Sequence, residues 1–215
     1  MERCKISDAD ALVRASRALR AGGLVALPTD TVYGVAAAAF DAVAVAALYV
    51  AKQRPLEKAI PILIADASGL EQVAIEVPAL ARRLAAAFWP GALTLVLRKH
   101  AALPEQVSAG PTLAVRVPAH AWLLQLLAAV GPLAVTSANL SGSPALHAAA
   151  AVDAQLGARL AMLVDAGALP GAPPSTIVDC MAQPPQIVRR AFVGGIWRSG
   201  PAGYSQAPLD GHNCR

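Results

Sequence analysis

Lys52-Gln53-Arg54 and Lys58 place three cations within seven residues, between one apolar run and the next. A cation lodged between two buried elements costs roughly a few kcal/mol unless an anion or another partner compensates it. A polyphosphate would do so, and so would the dipole of a helix carboxyl end; the spacing leaves both open. Arg116 lies inside Leu113-Ala114-Val115-Arg116-Val117, ahead of Pro118. A guanidinium in such a strand calls for a carboxylate or phosphate held through paired hydrogen bonds, from a ligand or from a structural ion pair.

Ser137-Ala138-Asn139 follows the run 133–136 directly, and the carboxyl ends of strands are where α/β folds hold ligands. The same residues also make ordinary turns. Thr29, Thr31 and Tyr33 bring three hydroxyls to one loop, and Ser175-Thr176 adds two more before a later apolar run. Hydroxyls donate and accept, so they can orient a small polar substrate or cap a turn. The chain has no GxxxxGKS/T loop, no GxGxxG after a strand, no GxSxG elbow and no HExxH pair. Phosphates, if bound, must be met by side-chain cations and hydroxyls.

The elements that deliver these groups alternate. A helix is predicted over 8–20, with Leu12, Ala15 and Leu19 on one side, Ser7 as its cap and Gly22-Gly23 as its stop. Leu24-Val25-Ala26-Leu27 reads as a buried strand that leads into a loop over 28–34. A helix over 41–51 and a strand over 60–64 bracket the cations. Helices over 77–88 and 120–130, and strands over 93–97, 113–117, 133–136, 162–164, 176–178 and 187–189, continue the pattern. The fold class is α/β. Pro170-Gly171-Ala172-Pro173-Pro174 is a connector, and turn-forming and polar residues predict a flexible tail over 199–215 behind one domain over 1–198.

At 215 residues the chain can bury a substantial core as a single domain. Hydrophobic residues reach 56%, but much of this is alanine and only 4% is aromatic. The run 32–51 approaches the length of a membrane span, yet its alanines and the Thr29-Asp30-Thr31 turn at its entrance argue against one. Met1-Glu2-Arg3-Cys4-Lys5 lacks the apolar core of a secretion signal, which predicts a cytoplasmic protein. Three cysteines, distant and odd in number, form neither a disulfide framework nor a CxxC zinc site. No metal site built by the protein itself is predicted. A net charge of +4 suits anionic ligands, nucleotides or RNA alike.

Six segments in order resemble the YrdC/TsaC family: Leu27-Pro28-Thr29-Asp30-Thr31-Val32-Tyr33-Gly34, Lys52-x-Arg54, Trp89-Pro90-Gly91-Ala92-Leu93-Thr94, Ala114-Val115-Arg116-Val117-Pro118 with His120, Thr136-Ser137-Ala138-Asn139-Leu140-Ser141-Gly142, and Ser175-Thr176-Ile177-Val178-Asp179. The resemblance runs from about Gly22 to Arg190. It implies a twisted, mixed β-sheet flanked by helices around a concave basic surface. It also implies an L-threonylcarbamoyladenylate synthase, a nucleotidyltransferase that makes threonylcarbamoyl-AMP and pyrophosphate from L-threonine, bicarbonate or CO2, and ATP.

By the same resemblance Lys52, Arg54, Ser137 and Asn139 are catalytic, and Thr31, Arg116, Ser137 and Ser175 surround threonine. Arg54, Lys58, Thr112, Asn139, His147 and Arg189 surround ATP, with Mg2+ accompanying the nucleotide. Two departures from the family pattern stand out. Ala145-Leu146-His147 replaces a Ser-Pro-Thr element, and Arg189-Arg190-Ala191 replaces an arginine-glycine ending, so either arginine could reach the phosphates. The resemblance is to the short form, which implies a separate transferase complex that moves the product onto tRNA; direct RNA binding stays open. Two competing readings are an RNA-binding ribosome-maturation factor without catalysis, and carbamoyl transfer from carbamoyl phosphate.

Overall fold

A computed structural model describes residues 1–190; the predicted tail and the last residues of the predicted domain lie outside them. The alternation of side chains along one buried strand shows the architecture. In β2 (Val25–Pro28), Val25 and Leu27 pack with α1 (Ala11–Arg20) and α5 (Ala121–Val130). Ala26 points the other way, into a core shared with α2 (Ala42–Lys52), α4 (Ala79–Phe88) and α6 (Ala149–Leu156). One mixed sheet therefore has helices on both faces.

From one edge the sheet runs through β1 (Glu2–Lys5), β9 (Met162–Asp165), β2, β3 (Tyr33–Ala38), β8 (Leu133–Ser137) and β4 (Ile62–Leu63). It continues through β7 (Thr112–Arg116), β6 (Leu93–Lys99), β10 (Thr176–Asp179) and β11 (Gln186–Arg189). The short α3 (Leu70–Val73) leads into β5 (Ala74–Ile75), which pairs with β6. The α/β class and mixed sheet agree with the expectation from sequence.

Several local expectations are corrected. Ser7 does not cap the first helix: Asp8 accepts a hydrogen bond from the Lys5 amide at 2.9 Å and closes a turn after β1, so the helix begins only at Ala11. The loop expected over 28–34 ends early, because β3 starts at Tyr33 and pairs with both β2 and β8. Five of its six residues are buried, so no alternation marked it as a strand. The run 32–51 thus divides into β3, a turn and α2, and no helix among the described residues is long and apolar enough to cross a membrane. Neither β1 nor α6 is predicted: Glu2-Arg3-Cys4-Lys5 buries only Cys4, and α6 is mostly alanine.

Candidate active site

The α2 helix begins under the Asp41 cap, whose carboxylate accepts from the amides of Val43 and Ala44 at 2.9 and 3.0 Å. It ends at Gln53 in the left-handed conformation (φ 51°), and the Arg54 amide donates back to the Tyr49 carbonyl at 2.9 Å. This turn sends the two cations in different directions. Arg54 donates through Nε to the Lys58 carbonyl (2.9 Å) and through Nη2 to the Ala59 carbonyl (2.8 Å). Lys52, only 1% exposed, points inward, and its Nζ donates to the carbonyls of Ser137 and Asn139. Burial and the nearby Arg54 push its ammonium down to about 8, whereas the surrounding oxygens favour keeping the proton.

A second cluster forms around Arg116. Its Nε donates to the Gly91 carbonyl at 2.8 Å and its Nη2 to the Asp30 carboxylate at 2.5 Å. Asp30 also accepts from the Ala119 amide at 3.1 Å, and its other oxygen is buried without a partner. Across β6, β10 and β11, the Thr94 and Ser175 hydroxyls meet at 2.7 Å, while Arg189 donates to the Ser175 carbonyl at 3.0 Å and to its Oγ at 3.3 Å. Burial lowers both arginines, and the proximity of Arg116 lowers Arg189 further. Gly91 admits no side chain, since an added Cβ would sit 2.4 Å from the Phe88 carbonyl oxygen.

The hairpin loop between β2 and β3 joins the clusters. Asp30 lies on Arg116, and three residues on, the Tyr33 carbonyl accepts from the amide of Ala138 at 2.7 Å. Thr29 Oγ1 accepts from the amides of Thr31 and Val32 and lies 3.0 Å from Thr31 Oγ1, which fixes the hydroxyls within the loop. Gly34 lets this loop lie close to β8, because a Cβ there would meet Val135 at 2.9 Å and Thr29 at 3.4 Å.

The sheet register places other predicted residues. Ile62 of β4 lies opposite both Ala134 and Val115. Three residues along β8 and three back along β7 therefore put Ser137 and Thr112 at the same level, two strands apart. Thr112 is the register partner of Arg98 on β6. Lys58 contributes its carbonyl to Arg54 while its residue is exposed. His147 is exposed and its ring would touch a Cβ on Gly171 at 3.0 Å, so it packs over the 170–174 connector. Of the two exposed arginines, Arg189 and Arg190, the first turns toward Ser175. Sequence reasoning did not assign Asp30, Thr94 or Gly91 to the site. The need of Arg116 for a carboxylate was the available signal for Asp30.

Lys52 and Arg116 are buried, Arg54 is half-buried, and Arg189 is exposed beside Arg116; among the described residues Asp30 is the one carboxylate paired with any of the four. Cys4 and Cys180 are buried free thiols, and burial with Asp179 pushes Cys180 up to about 11, so neither is set up as a nucleophile. No group of three His, Cys, Asp or Glu side chains among the described residues could hold a metal ion. The fold and site define a mixed α/β protein whose candidate site is built from side-chain cations and hydroxyls.

Residues 17–191 match the Sua5/YciO/YrdC family model, described as telomere recombination, and the chain belongs to that family. A putative threonylcarbamoyl-AMP synthase of Mycobacterium tuberculosis is 42% identical over 179 residues, covering 83% of this chain and 82% of the relative. The threonylcarbamoyl-AMP synthase of Pyrococcus abyssi is 40% identical over 173 residues, which are 80% of this chain and 51% of the relative. The crystal structure of P. abyssi Sua5 complexed with L-threonine superposes with a TM-score of 0.82 at 38% identity, covering 88% of this chain and 56% of that one. This chain therefore spans about half the length of the archaeal protein.

Proposed function

We propose that this chain is an L-threonylcarbamoyladenylate synthase, a nucleotidyltransferase acting on L-threonine, bicarbonate or CO2, and ATP. The observation that carries the reading is that Arg54, Arg116 and Arg189 have one carboxylate partner, Asp30, between them among the described residues, which favours a substrate with several negative charges. The names of the relatives and the threonine complex of the archaeal neighbour support it over RNA binding without catalysis.

In the reaction, the threonine amine bonds to the carbon of CO2 and loses a proton, which gives a carbamate. A carbamate oxygen then bonds to the α-phosphorus of ATP as the bond to pyrophosphate breaks. Arg116 pairs with the threonine carboxylate, with Thr31, Ser137 and Ser175 supplying hydroxyls around the amino acid. Arg54 and Arg189 meet the charge that develops on the phosphates, the kind of group whose contribution grows toward the transition state. Lys58, Thr112, Asn139 and His147 complete the expected surroundings of ATP. Magnesium would accompany ATP and help to offset the charge of its phosphates. A separate transferase complex then moves the threonylcarbamoyl group to tRNA.

The test is to follow pyrophosphate from ATP and magnesium with threonine and bicarbonate added or withheld. Release should require both, with threonylcarbamoyl-AMP as the other product. Formation of ADP and phosphate, or release indifferent to threonine, would overturn the reading.

A further inference from the structure

We infer that Lys52 is a positioning residue: its ammonium holds the Ser137–Asn139 turn closed and touches neither the nucleotide nor threonine. This refines the proposed function and rests on it. An ammonium has three N–H donors and no acceptor. Three oxygens surround Nζ of Lys52: the Ser137 carbonyl, the Asn139 carbonyl and, at 3.5 Å, Asn139 Oδ1. With Lys52 1% exposed, its donor capacity is taken up inside the protein and no face is left for a phosphate.

The rest of the loop is tied to the same point. The Lys52 carbonyl accepts from the Ser141 amide at 2.9 Å, so backbone and side chain of one residue grip the turn from both ends. Asn139 donates through Nδ2 to the carbonyls of Leu140 (2.9 Å) and Ser143 (2.6 Å), and its amide donates to the Ser137 carbonyl at 3.0 Å. Gln155 accepts from the Leu140 amide at 2.7 Å. Ser137 ends β8 on the face it shares with Leu133 and Val135 of the same strand, so the turn that Lys52 ties down fixes where the Ser137 hydroxyl sits. Arg54, released from the helix by the Gln53 turn and anchored only to loop carbonyls, is the cation of the pair that reaches ligand.

The test labels the wild-type chain with an amine-reactive reagent at about pH 9, with and without ATP, and maps the modified lysines. Slow labelling reports an amine that is sealed in the protein or held as the ammonium, and both follow from its contacts with Ser137 and Asn139. Exposed Lys58 serves as the reference. Lys52 is expected to label about tenfold or more slowly than Lys58, at a rate ATP does not change. Labelling as fast as Lys58, with protection by ATP, would overturn the assignment.

Variants give the second reading. In Lys52→Met the ATP dissociation constant should stay within about threefold, while Arg54→Ala should weaken it about tenfold or more. The Lys52→Met, Asn139→Ala double variant should turn over no more than about threefold below the worse single variant, because both act through one turn. Multiplicative losses, or ATP binding lost equally in Lys52→Met and Arg54→Ala, would overturn the proposal. If Lys52→Met does not fold, labelling of the wild-type chain decides. Failure of the wild-type chain to bind ATP would fall on the proposed function, and labelling of the free chain would still decide whether Lys52 is sealed within the turn.

Discussion

Arg116 already has a carboxylate in the free protein, yet Asp30 occupies only Nη2, and Gly91 takes Nε. A threonine carboxylate can approach the remaining nitrogen without breaking the pair. Arg116→Lys should therefore weaken threonine binding by about tenfold or more and ATP binding much less, because an ammonium cannot reproduce the fork. Calorimetric titration with each ligand checks this, and equal losses would mark Arg116 as structural. Lys52 gives a prediction about stability. Removing its ammonium in Lys52→Met leaves two carbonyls without their donor, a loss of about 2 kcal/mol that outweighs relief from burying a charge. The gap should depend on pH. Burial pushes the Lys52 ammonium down to about 8 in the folded protein from the ordinary lysine value of 10.5 in the unfolded chain, so between these the unfolded chain binds more protons and wild-type stability rises with pH. Denaturant titrations from about pH 7.5 to about pH 9.5 should show the wild-type advantage over Lys52→Met widening; a constant gap would contradict this.

Elements set the distances at which these residues work. The end of α2 rests on a non-glycine residue at φ 51°, a conformation that glycine adopts without a Cβ penalty. Gln53→Gly should raise unfolding free energy by about 0.5–1 kcal/mol in a denaturant titration. A fall would mean that the Gln53 side chain has a role beyond the turn. The β2–β3 hairpin is held more tightly. In Gly34→Ala the new Cβ would press on Val135 and Thr29, pushing the Thr31 loop away from β8. Threonine affinity should drop several-fold, with a stability loss of about 1–3 kcal/mol. Unchanged affinity in a folded variant would detach this loop from threonine recognition.

At the scale of the molecule, the charge that matters is local. A net +4 spread over 215 residues is modest, whereas the proposed site offers Arg54, Arg116 and Arg189 with one carboxylate partner, Asp30, among the described residues. ATP carries several charges and threonine is a neutral zwitterion, so salt should act on them differently. Raising ionic strength from about 50 mM to about 500 mM should weaken ATP binding several-fold and threonine binding less than twofold. Equal sensitivity would place the two ligands in a common, solvent-screened field. The strand order also explains why groups from distant parts of the chain meet. Arg116, Thr94, Ser175 and Arg189 come from β7, from β6, from the residue before β10 and from β11, four neighbours in the sheet, and the pairing of β6 with β10 brings the two halves of this set together from distant parts of the chain.

The sequence by itself carried the α/β class, most helices and the residues worth watching, because periodicity, caps and short motifs are local properties. Six ordered segments were enough to point to the family. What it lacked was whatever depends on partners far along the chain. The spacing Lys52-x-Arg54 did not say where either cation points, and the left-handed Gln53 turns one inward to the 137–139 turn and the other outward to the 58–59 loop. The strand β3 escaped notice because burial on both faces erases alternation. Asp30 read as a turn residue, and only the folding of its loop across the sheet makes it the counter-charge of Arg116. A charge in a sequence states a need for a partner, and tertiary structure decides which oxygen satisfies it, since burial and distance set the strength of the pairing.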